Sequence, residues 1–276
     1  MMRILLTDTI LRQPLLALAA LCLLAVPAAA EDSKAWDDIR ASLFGSDRAI
    51  HDGRDVISME APDRALDAAL VPISVTAEID QSKDRYIKAI TLVIDENPAP
   101  VVGTFHLSPD NGIADISTRV RVNAYTSVRA IAEMNDGQLY MAERFVKASG
   151  GCAAPATKDA ELAMQRLGQM RMKQIGTWRE GEPSEVQLMV SHPNYSGLQT
   201  DQVTQLWIPA HYVRTLDVTL GDRPVLRFEG DISMSENPTI RFFVEPEGEG
   251  ALTARAVDTK DNVFEESWPI RLEPST

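Results

Sequence analysis

The stretch VPISVTAEI, residues 71–79, alternates apolar and polar side chains with a period of two. Successive side chains of a β-strand point to opposite faces of its sheet, so this alternation predicts a half-buried strand. The apolar positions are Val71, Ile73, Val75, Ala77 and Ile79. The pattern recurs in IKAITLVID (87–95), VVGTFHL (101–107), ISTRVRV (116–122), SVRAIAEM (127–134) and LYMAERFV (139–146). Strands at this spacing predict an antiparallel β-sandwich.

A second set of strand patterns begins after residue 182. It comprises EVQLMVSHP (185–193), RTLDVTLGDRPVLRFEG (214–230), TIRFFVEP (239–246), ALTARAVD (251–258) and VFEESWPIRL (263–272). Apolar residues at helical spacing predict a short helix in 35–46, and 157–173 reads as a helix or helical linker. We therefore expect an all-β fold of two Ig-like antiparallel β-sandwich domains joined by a partly helical linker.

The first thirty residues predict a signal peptide. Arg3 and Arg12 precede the apolar run LLALAALCLLAV (15–26), and an A-x-A cleavage site ends at Ala30. Cleavage after Ala30 would remove Cys22 and deliver the mature chain to the periplasm. We expect no membrane insertion of the mature protein, because the rest of the sequence has no second long apolar run.

The chain is acidic, with 27 basic and 40 acidic residues. Removing residues 1–30, which hold two basic residues and one acidic residue, leaves 25 and 39 and a formal charge of −14. Such a surface repels nucleic acid, so we expect no nucleic-acid partner.

Cys152 lies in VKASGGCAAPATKDAE (146–161), a segment without a strand or core pattern. Three interpretations compete: a buried structural cysteine, an intermolecular disulfide, and a functional thiol on a mobile segment. Glycine frees the backbone, and the flanking Ser-Gly-Gly and Ala-Ala-Pro offer little packing. The local sequence favours the exposed, functional thiol.

The sequence does not predict an enzyme. A nucleophilic cysteine needs a base and an oxyanion site held in fixed geometry, which a mobile segment provides poorly. The four histidines, none of them near Cys152 in sequence, are His51, His106, His192 and His211. We expect no catalytic residue, no metal site and no cofactor other than a covalent adduct on Cys152.

The first half of the chain resembles SoxY, the sulfur-carrying subunit of the bacterial thiosulfate-oxidising system, and the second half resembles its partner SoxZ. The SoxY resemblance lies in residues 86–122, 130–142 and the Gly-Gly-Cys at 150–152. The SoxZ resemblance lies in LMVSHPNYSGL (188–198), IPAHYV (208–213), LDVTLGDRPVL (216–226) and ISMSENPTIRF (232–242). Their order on one chain resembles the fused SoxYZ-like carriers that accompany quinoprotein dehydrogenases.

The resemblance implies a domain organisation. A SoxY-like sandwich, with the short helix and a Gly-Gly-Cys arm, would span 31–152, and a SoxZ-like sandwich would span 181–276. Residues 153–180 would form the linker, and the two halves would pack on each other.

The resemblance also implies a carrier that is not an enzyme. Cys152 would be the covalent attachment site for sulfur on a swinging arm, with Gly150 and Gly151 as its hinge. Periplasmic redox proteins, such as a c-type cytochrome, a hydrolase or a quinoprotein dehydrogenase, would be its partners. No catalytic role is carried to His192 or His211, whose positions equally suit structural hydrogen bonds.

The sequence departs from the carrier pattern after the cysteine. The chain continues through Ala153, Ala154 and Pro155 into the second half, so the arm would be a loop tethered at both ends. The alternatives are a non-covalent accessory of a periplasmic dehydrogenase, with Cys152 dispensable, and a metal-delivery protein that uses methionines and histidines. The carrier hypothesis predicts a sulfur atom exposed on a pliable loop.

Overall fold

The computed structural model describes residues 34–155 and 160–273, so the predicted signal peptide lies outside the described residues. The helices are α1 (Lys34–Phe44) and α2 (Ala160–Gln165), and a short 3-10 helix spans Pro109–Asn111. The strands of the first half are β1 (Ile50–Asp52), β2 (Ile57–Glu60), β3 (Val71–Ala77), β4 (Ile87–Ile94), β5 (Val101–Leu107), β6 (Ile116–Val120), β7 (Thr126–Met134) and β8 (Leu139–Val146). Those of the second half are β9 (Met170–Ile175), β10 (Ser184–Val190), β11 (Val213–Leu220), β12 (Arg223–Gly230), β13 (Thr239–Val244), β14 (Gly250–Asp258) and β15 (Val263–Ile270).

The described strands form two sheets. One sheet has nine strands in the order β1-β8-β7-β4-β5-β12-β11-β14-β15, and the other has six in the order β2-β3-β6-β13-β10-β9. The short edge strand β1 pairs with β8 in parallel, whereas β8, β7, β4 and β5 follow one another antiparallel. The predicted all-β fold with few helices is confirmed. No helix among the described residues is long and apolar enough to cross a membrane.

Both sheets run through both halves of the chain. In the larger sheet β5 pairs with β12, which places Phe105 opposite Phe228, with ring centroids 4.7 Å apart. In the smaller sheet β6 pairs with β13, where Ser117 lies opposite Arg241. The two predicted sandwiches are therefore joined edge to edge, and the buried faces of their strands contribute to one continuous core.

The linker is less helical than its sequence suggests. Helix α2 spans only Ala160–Gln165, and Gly168 adopts a positive φ of 78° shortly after it. Residues 170–175 then form β9, which pairs with β10 at the edge of the six-stranded sheet. The prediction of a helix to residue 173 is therefore wrong beyond Gly168, because the chain joins the six-stranded sheet there.

Helix α1 covers the outer face of the larger sheet. Its Trp36 is buried in a small cluster with Val93, Ile131 and Leu139. The Arg129 guanidinium lies 4.5 Å from the centre of the Trp36 ring and forms a buried ion pair with Asp95 at 3.0 Å. The predicted N-terminal helix thus has a packing role, because it shields a buried charge pair from water.

The junction between the halves leaves no room for a side chain at Gly103. A Cβ added there would lie 2.4 Å from the Phe228 ring and 2.5 Å from the Glu229 carbonyl oxygen. We expect Gly103→Ala to lower the free energy of unfolding by about 3 kcal/mol, because overpacking forces the paired strands apart. Urea unfolding followed by tryptophan fluorescence measures the change.

Gly248→Ala is the matched control for this substitution. No atom lies within 4 Å of a Cβ added at Gly248, so its free energy of unfolding should stay within about 0.5 kcal/mol of the wild-type value. Equal unfolding midpoints for the two variants would contradict a tight junction at β5 and β12.

Candidate functional site

Cys152 is fully buried, with none of its surface exposed. The expectation of an exposed thiol on a pliable loop is therefore wrong for this structure. The backbone N–H groups of Gly150 and Gly151 donate hydrogen bonds to the carbonyl oxygens of Asn123 and Val122, at 2.9 and 3.0 Å. The cysteine segment is thus hydrogen-bonded to the chain that follows β6.

Gly151 serves a close approach of two backbones. A Cβ at this position would lie 2.0 Å from the carbonyl oxygen of Ala68 and 2.7 Å from that of Val122. The glycine pattern predicts mobility from sequence, but here the missing side chain lets the segment dock. Local sequence cannot distinguish these two uses of glycine.

Two side chains from the second half of the chain hold the cysteine segment, and we call Ser196 and Gln199 the clamp. The Ser196 hydroxyl donates to the carbonyl oxygen of Cys152 at 2.5 Å. The Gln199 side-chain amide donates to the carbonyl oxygen of Ala154 at 2.8 Å. Both clamp residues are buried, so water competes little for these hydrogen bonds.

The Arg121 side chain bridges the two halves next to the cysteine. Its guanidinium donates to the carbonyl oxygen of Gly151 through Nη1 and to that of Asn194 through Nη2, both at 3.3 Å. Arg121 is only 1 % exposed, and its Nε has no hydrogen-bond partner among the described residues. Burial lowers the pKa of Arg121, and the negative groups around it, Glu236 first, oppose that shift.

Burial also lowers the thiolate fraction of the cysteine. Desolvation raises the pKa of Cys152 to about 11, and the positive charge of Arg121 offsets only part of this rise. The thiolate is the reactive form of cysteine, so the closed site holds a protonated and weakly nucleophilic thiol at neutral pH.

A second buried polar cluster lies in the second half. Asp258 accepts hydrogen bonds from the backbone N–H groups of Lys260 and Asn262, from the Asn262 amide and from His211 Nε2, the last at 2.7 Å. His192 Nε2 lies 3.5 Å from the same carboxylate. Among the described residues, His192, His211 and Asp258 form a group whose ligand atoms lie within 4.8 Å of one another, close enough for a metal ion.

The hydrogen bonds of this cluster do not fit a metal centre. His192 Nδ1 accepts the backbone N–H of Asn194, so its proton lies on Nε2, the atom that would have to bind the metal. His211 Nδ1 has no hydrogen-bond partner in the described structure, whereas a metal-bound histidine usually donates its second N–H. The cluster therefore acts as a hydrogen-bonded support, and it does not favour the metal-delivery alternative.

Asn194 connects this support to the cysteine site. Its carbonyl oxygen accepts from Arg121, its N–H donates to His192, and its side chain contacts the backbone of Ser235 and Val213. The residue is fully buried and adopts a positive φ of 43°, which asparagine tolerates better than most residues. The histidine cluster thus fixes the segment that carries the clamp.

The remaining histidines lie away from the site. His106 on β5 is exposed and lies 3.6 Å from Glu229, and His51 on β1 is exposed beside Tyr140.

The sequence did not identify Arg121, Asn194, Ser196 or Gln199 as site residues. The last three lie inside or next to the stretch LMVSHPNYSGL, so the resemblance marked their segment without assigning them a role.

A different protein-family model matches each half of the chain. The family model "Sulfur oxidation protein SoxY" matches residues 40–152, and "Sulphur oxidation protein SoxZ" matches residues 172–269. No curated protein matches this chain.

Several solved structures are similar to parts of the chain. The sulfur carrier protein SoxY from Chlorobium limicola f thiosulfatophilum is 27% identical, with a TM-score of 0.36, and the match covers 43% of this chain and 100% of that protein. A superoxide reductase (neelaredoxin) from Ignicoccus hospitalis is 18% identical, with a TM-score of 0.31 and coverage of 33% and 79%. Fibronectin(III)-like modules of CbhA from Clostridium thermocellum are 10% identical, with a TM-score of 0.25 and coverage of 79% and 94%.

The clamp should control access to the thiol. We expect native Cys152 to react with iodoacetamide at least about 100-fold more slowly than in the urea-unfolded chain, since a pKa near 11 instead of 9.0 lowers the thiolate fraction by that factor. The double variant Ser196→Ala/Gln199→Ala should react about 30-fold faster than the native wild type, because two buried hydrogen bonds of about 1 kcal/mol each are lost.

Gln202→Ala is the control for the clamp variant. Gln202 is exposed, and its amide donates to the nearby Thr200 carbonyl and to no other described residue, so the native alkylation rate of this variant should match the wild type. A native wild-type rate within tenfold of the unfolded rate would contradict a closed site.

The histidine cluster makes stability depend on pH. Burial, reinforced by His211, lowers the pKa of His192 to about 4, and contact with Asp258 opposes this shift only in part. The folded state therefore binds fewer protons than the unfolded state between pH 4 and 6.5. Stability should be constant above about pH 6.5 and fall by about 3 kcal/mol as the pH is lowered to 4.

Urea unfolding at pH 4.5–7.5 measures this slope. His192→Gln should remove most of it, whereas His51→Gln, at an exposed histidine, should keep it. Since the pKa of Asp258 is lowered, its own contribution is lost only below its ordinary pKa near 4, outside this window. An unchanged slope in His192→Gln would contradict a buried neutral imidazole.

Proposed function

Because this chain fuses a SoxY domain to a SoxZ domain, we propose that it is a periplasmic, non-enzymatic carrier that binds a sulfur species covalently on Cys152. One observation carries the proposal. Cys152 is the last residue that the SoxY model matches, and Ser196 and Gln199 of the SoxZ half hydrogen-bond the backbone carbonyl oxygens of Cys152 and Ala154. The backbone at the cysteine is thus held by both domains together.

The carrier alternates between a closed and an open state. In the closed state the thiol is buried, protonated and protected from oxidants. Opening breaks five hydrogen bonds. They are made by the Ser196, Gln199 and Arg121 side chains and by the Gly150 and Gly151 N–H groups. At about 1 kcal/mol each, these bonds keep the open state near one molecule in about 5,000, and a partner that binds the open form shifts this equilibrium.

Partner redox proteins act on the open state. The segment that follows Gln199 carries three exposed apolar side chains, Val203, Leu206 and Trp207, of which Trp207 pairs with Thr200. A c-type cytochrome, hydrolase or quinoprotein dehydrogenase that binds this segment would displace the adjoining clamp residues. Docking and release of the thiol are thereby linked, and the loop tethered at both ends needs to move only far enough to expose one sulfur atom.

Intact-mass spectrometry of protein purified from its native host tests the carrier function. We expect a mass increase of one or more sulfur atoms, removed by dithiothreitol and lost in Cys152→Ser. Cys22→Ser is the matched control and should retain the adduct, because Cys22 belongs to the predicted signal peptide.

A second candidate function is supported by the burial of Cys152 itself. A non-covalent accessory of a periplasmic dehydrogenase would use the same fold with a cysteine that only fills space. An unmodified native mass, together with full pathway activity in Cys152→Ser, would establish the accessory and exclude the carrier.

A further inference from the structure

We propose that Arg121 is the charge partner of the Cys152 adduct, so that the closed site retains a small anionic sulfur species, a persulfide, in preference to a neutral adduct. This inference rests on the proposed carrier function and specifies which cargo the closed state protects. Arg121 positions and selects the adduct, and it takes no part in forming or breaking the S–S bond.

The Arg121 side chain carries a charge whose hydrogen-bond acceptors in the described structure are both uncharged. Its two hydrogen bonds, to the carbonyl oxygens of Gly151 and Asn194, are long at 3.3 Å. Its buried Nε has no hydrogen-bond partner in the described structure. A buried guanidinium strongly favours a hydrogen-bonded anion nearby, because it has lost its hydration. One of its acceptors belongs to the residue bonded directly to Cys152.

The negative neighbours of Arg121 differ in burial. They are Glu236, Cys152 and Asp67, in that order of influence. Asp67 is exposed and Glu236 is half-buried, so water weakens both interactions, whereas Cys152 is fully enclosed. With a protonated thiol, the most enclosed of the three groups carries no charge. A persulfide anion places a negative charge there, in the low-dielectric surroundings where the attraction is greatest.

The size of the site favours an adduct of one sulfur atom. Cys152 is completely enclosed, and the backbone of the preceding Gly151 is packed against Ala68 and Val122. A persulfide adds one heavy atom to the thiol, whereas a thiosulfonate adds a sulfur and three oxygens. The persulfide therefore requires the smallest displacement of the clamp, and bulkier adducts belong to the open state.

Two chemical loadings give the comparison that the inference needs. The Cys152 thiolate attacks tetrasulfide dianion, an S–S bond breaks, trisulfide dianion leaves, and the protein carries the persulfide with charge and sulfur conserved. The thiolate also attacks methyl methanethiosulfonate, methanesulfinate leaves, and the protein carries a neutral methyl disulfide. Both reactions are run near pH 9, where they take place in the small fraction of open molecules. Intact mass verifies that each adduct has formed.

Release of each adduct by dithiothreitol is then timed in the native and the urea-unfolded protein. We define the protection of an adduct as the ratio of its release rate in the unfolded protein to that in the native protein. This ratio removes the difference in intrinsic reactivity between the persulfide and the methyl disulfide. In the wild type we expect the persulfide to be protected about tenfold or more over the methyl disulfide, as a charge-assisted hydrogen bond provides. Equal protection in the wild type overturns the inference, even where an Arg121 variant fails to fold.

Variants at two arginines separate charge pairing from general packing. Arg121→Gln should abolish the difference between the two adducts, and Arg121→Lys should restore most of it. Arg119→Gln should leave the difference unchanged, because Arg119 contacts Thr239 on β13 and not the cysteine segment. An Arg121→Gln protein that still discriminates overturns the inference.

The native mass and the protection of the two adducts report different properties of the chain. A chain without a native adduct is not a sulfur carrier, whatever its response to chemical loading. A carrier whose two adducts are equally protected keeps its function, but Arg121 does not select its cargo.

Discussion

The pairing of β5 with β12 is the constraint on which the rest of the structure depends. It places Phe105 opposite Phe228 and Gly103 opposite Gly230, and it turns the strands of two halves into one nine-stranded sheet. Because both sheets cross the junction, the end of the first half is held at a fixed position relative to the clamp in the second half. The cysteine site is built from this relation, with Arg121 supplied by one half and Ser196 by the other.

The site itself is a set of backbone carbonyls held by side chains. Arg121, Ser196 and Gln199 all donate to carbonyl oxygens of residues 151–154. These hydrogen bonds fix the backbone, and none of the three is made to the sulfur atom. Behind the clamp, Asn194 is fixed by His192, which in turn lies against Asp258. A buried hydrogen-bonded network thus supports the clamp, and the clamp holds the cysteine segment through two separate hydrogen bonds.

The sequence predicted the strands well and the cysteine poorly, and the physical reason differs in each case. Alternation in 71–79 and 101–107 reports burial on one face of a sheet, which is a local property, and β3 and β5 form there. Whether β5 continues its sheet into β12 depends on contacts more than a hundred residues apart in the chain. The burial of Cys152 depends on Ala68, Val122 and Ser196, which local sequence does not reveal. The resemblance marked the right segments, but the contacts that close the site come only from the fold.

Fusion of the two domains makes closure of the site a first-order event. The chain that continues past Cys152 ties the clamp to the segment it holds, so the clamp is present at an effective concentration set by the chain and independent of protein abundance. Between separate subunits the same contacts would be lost when dilution dissociates the subunits. In the fused chain they form within one molecule, so the covered fraction of the cysteine segment does not change with dilution.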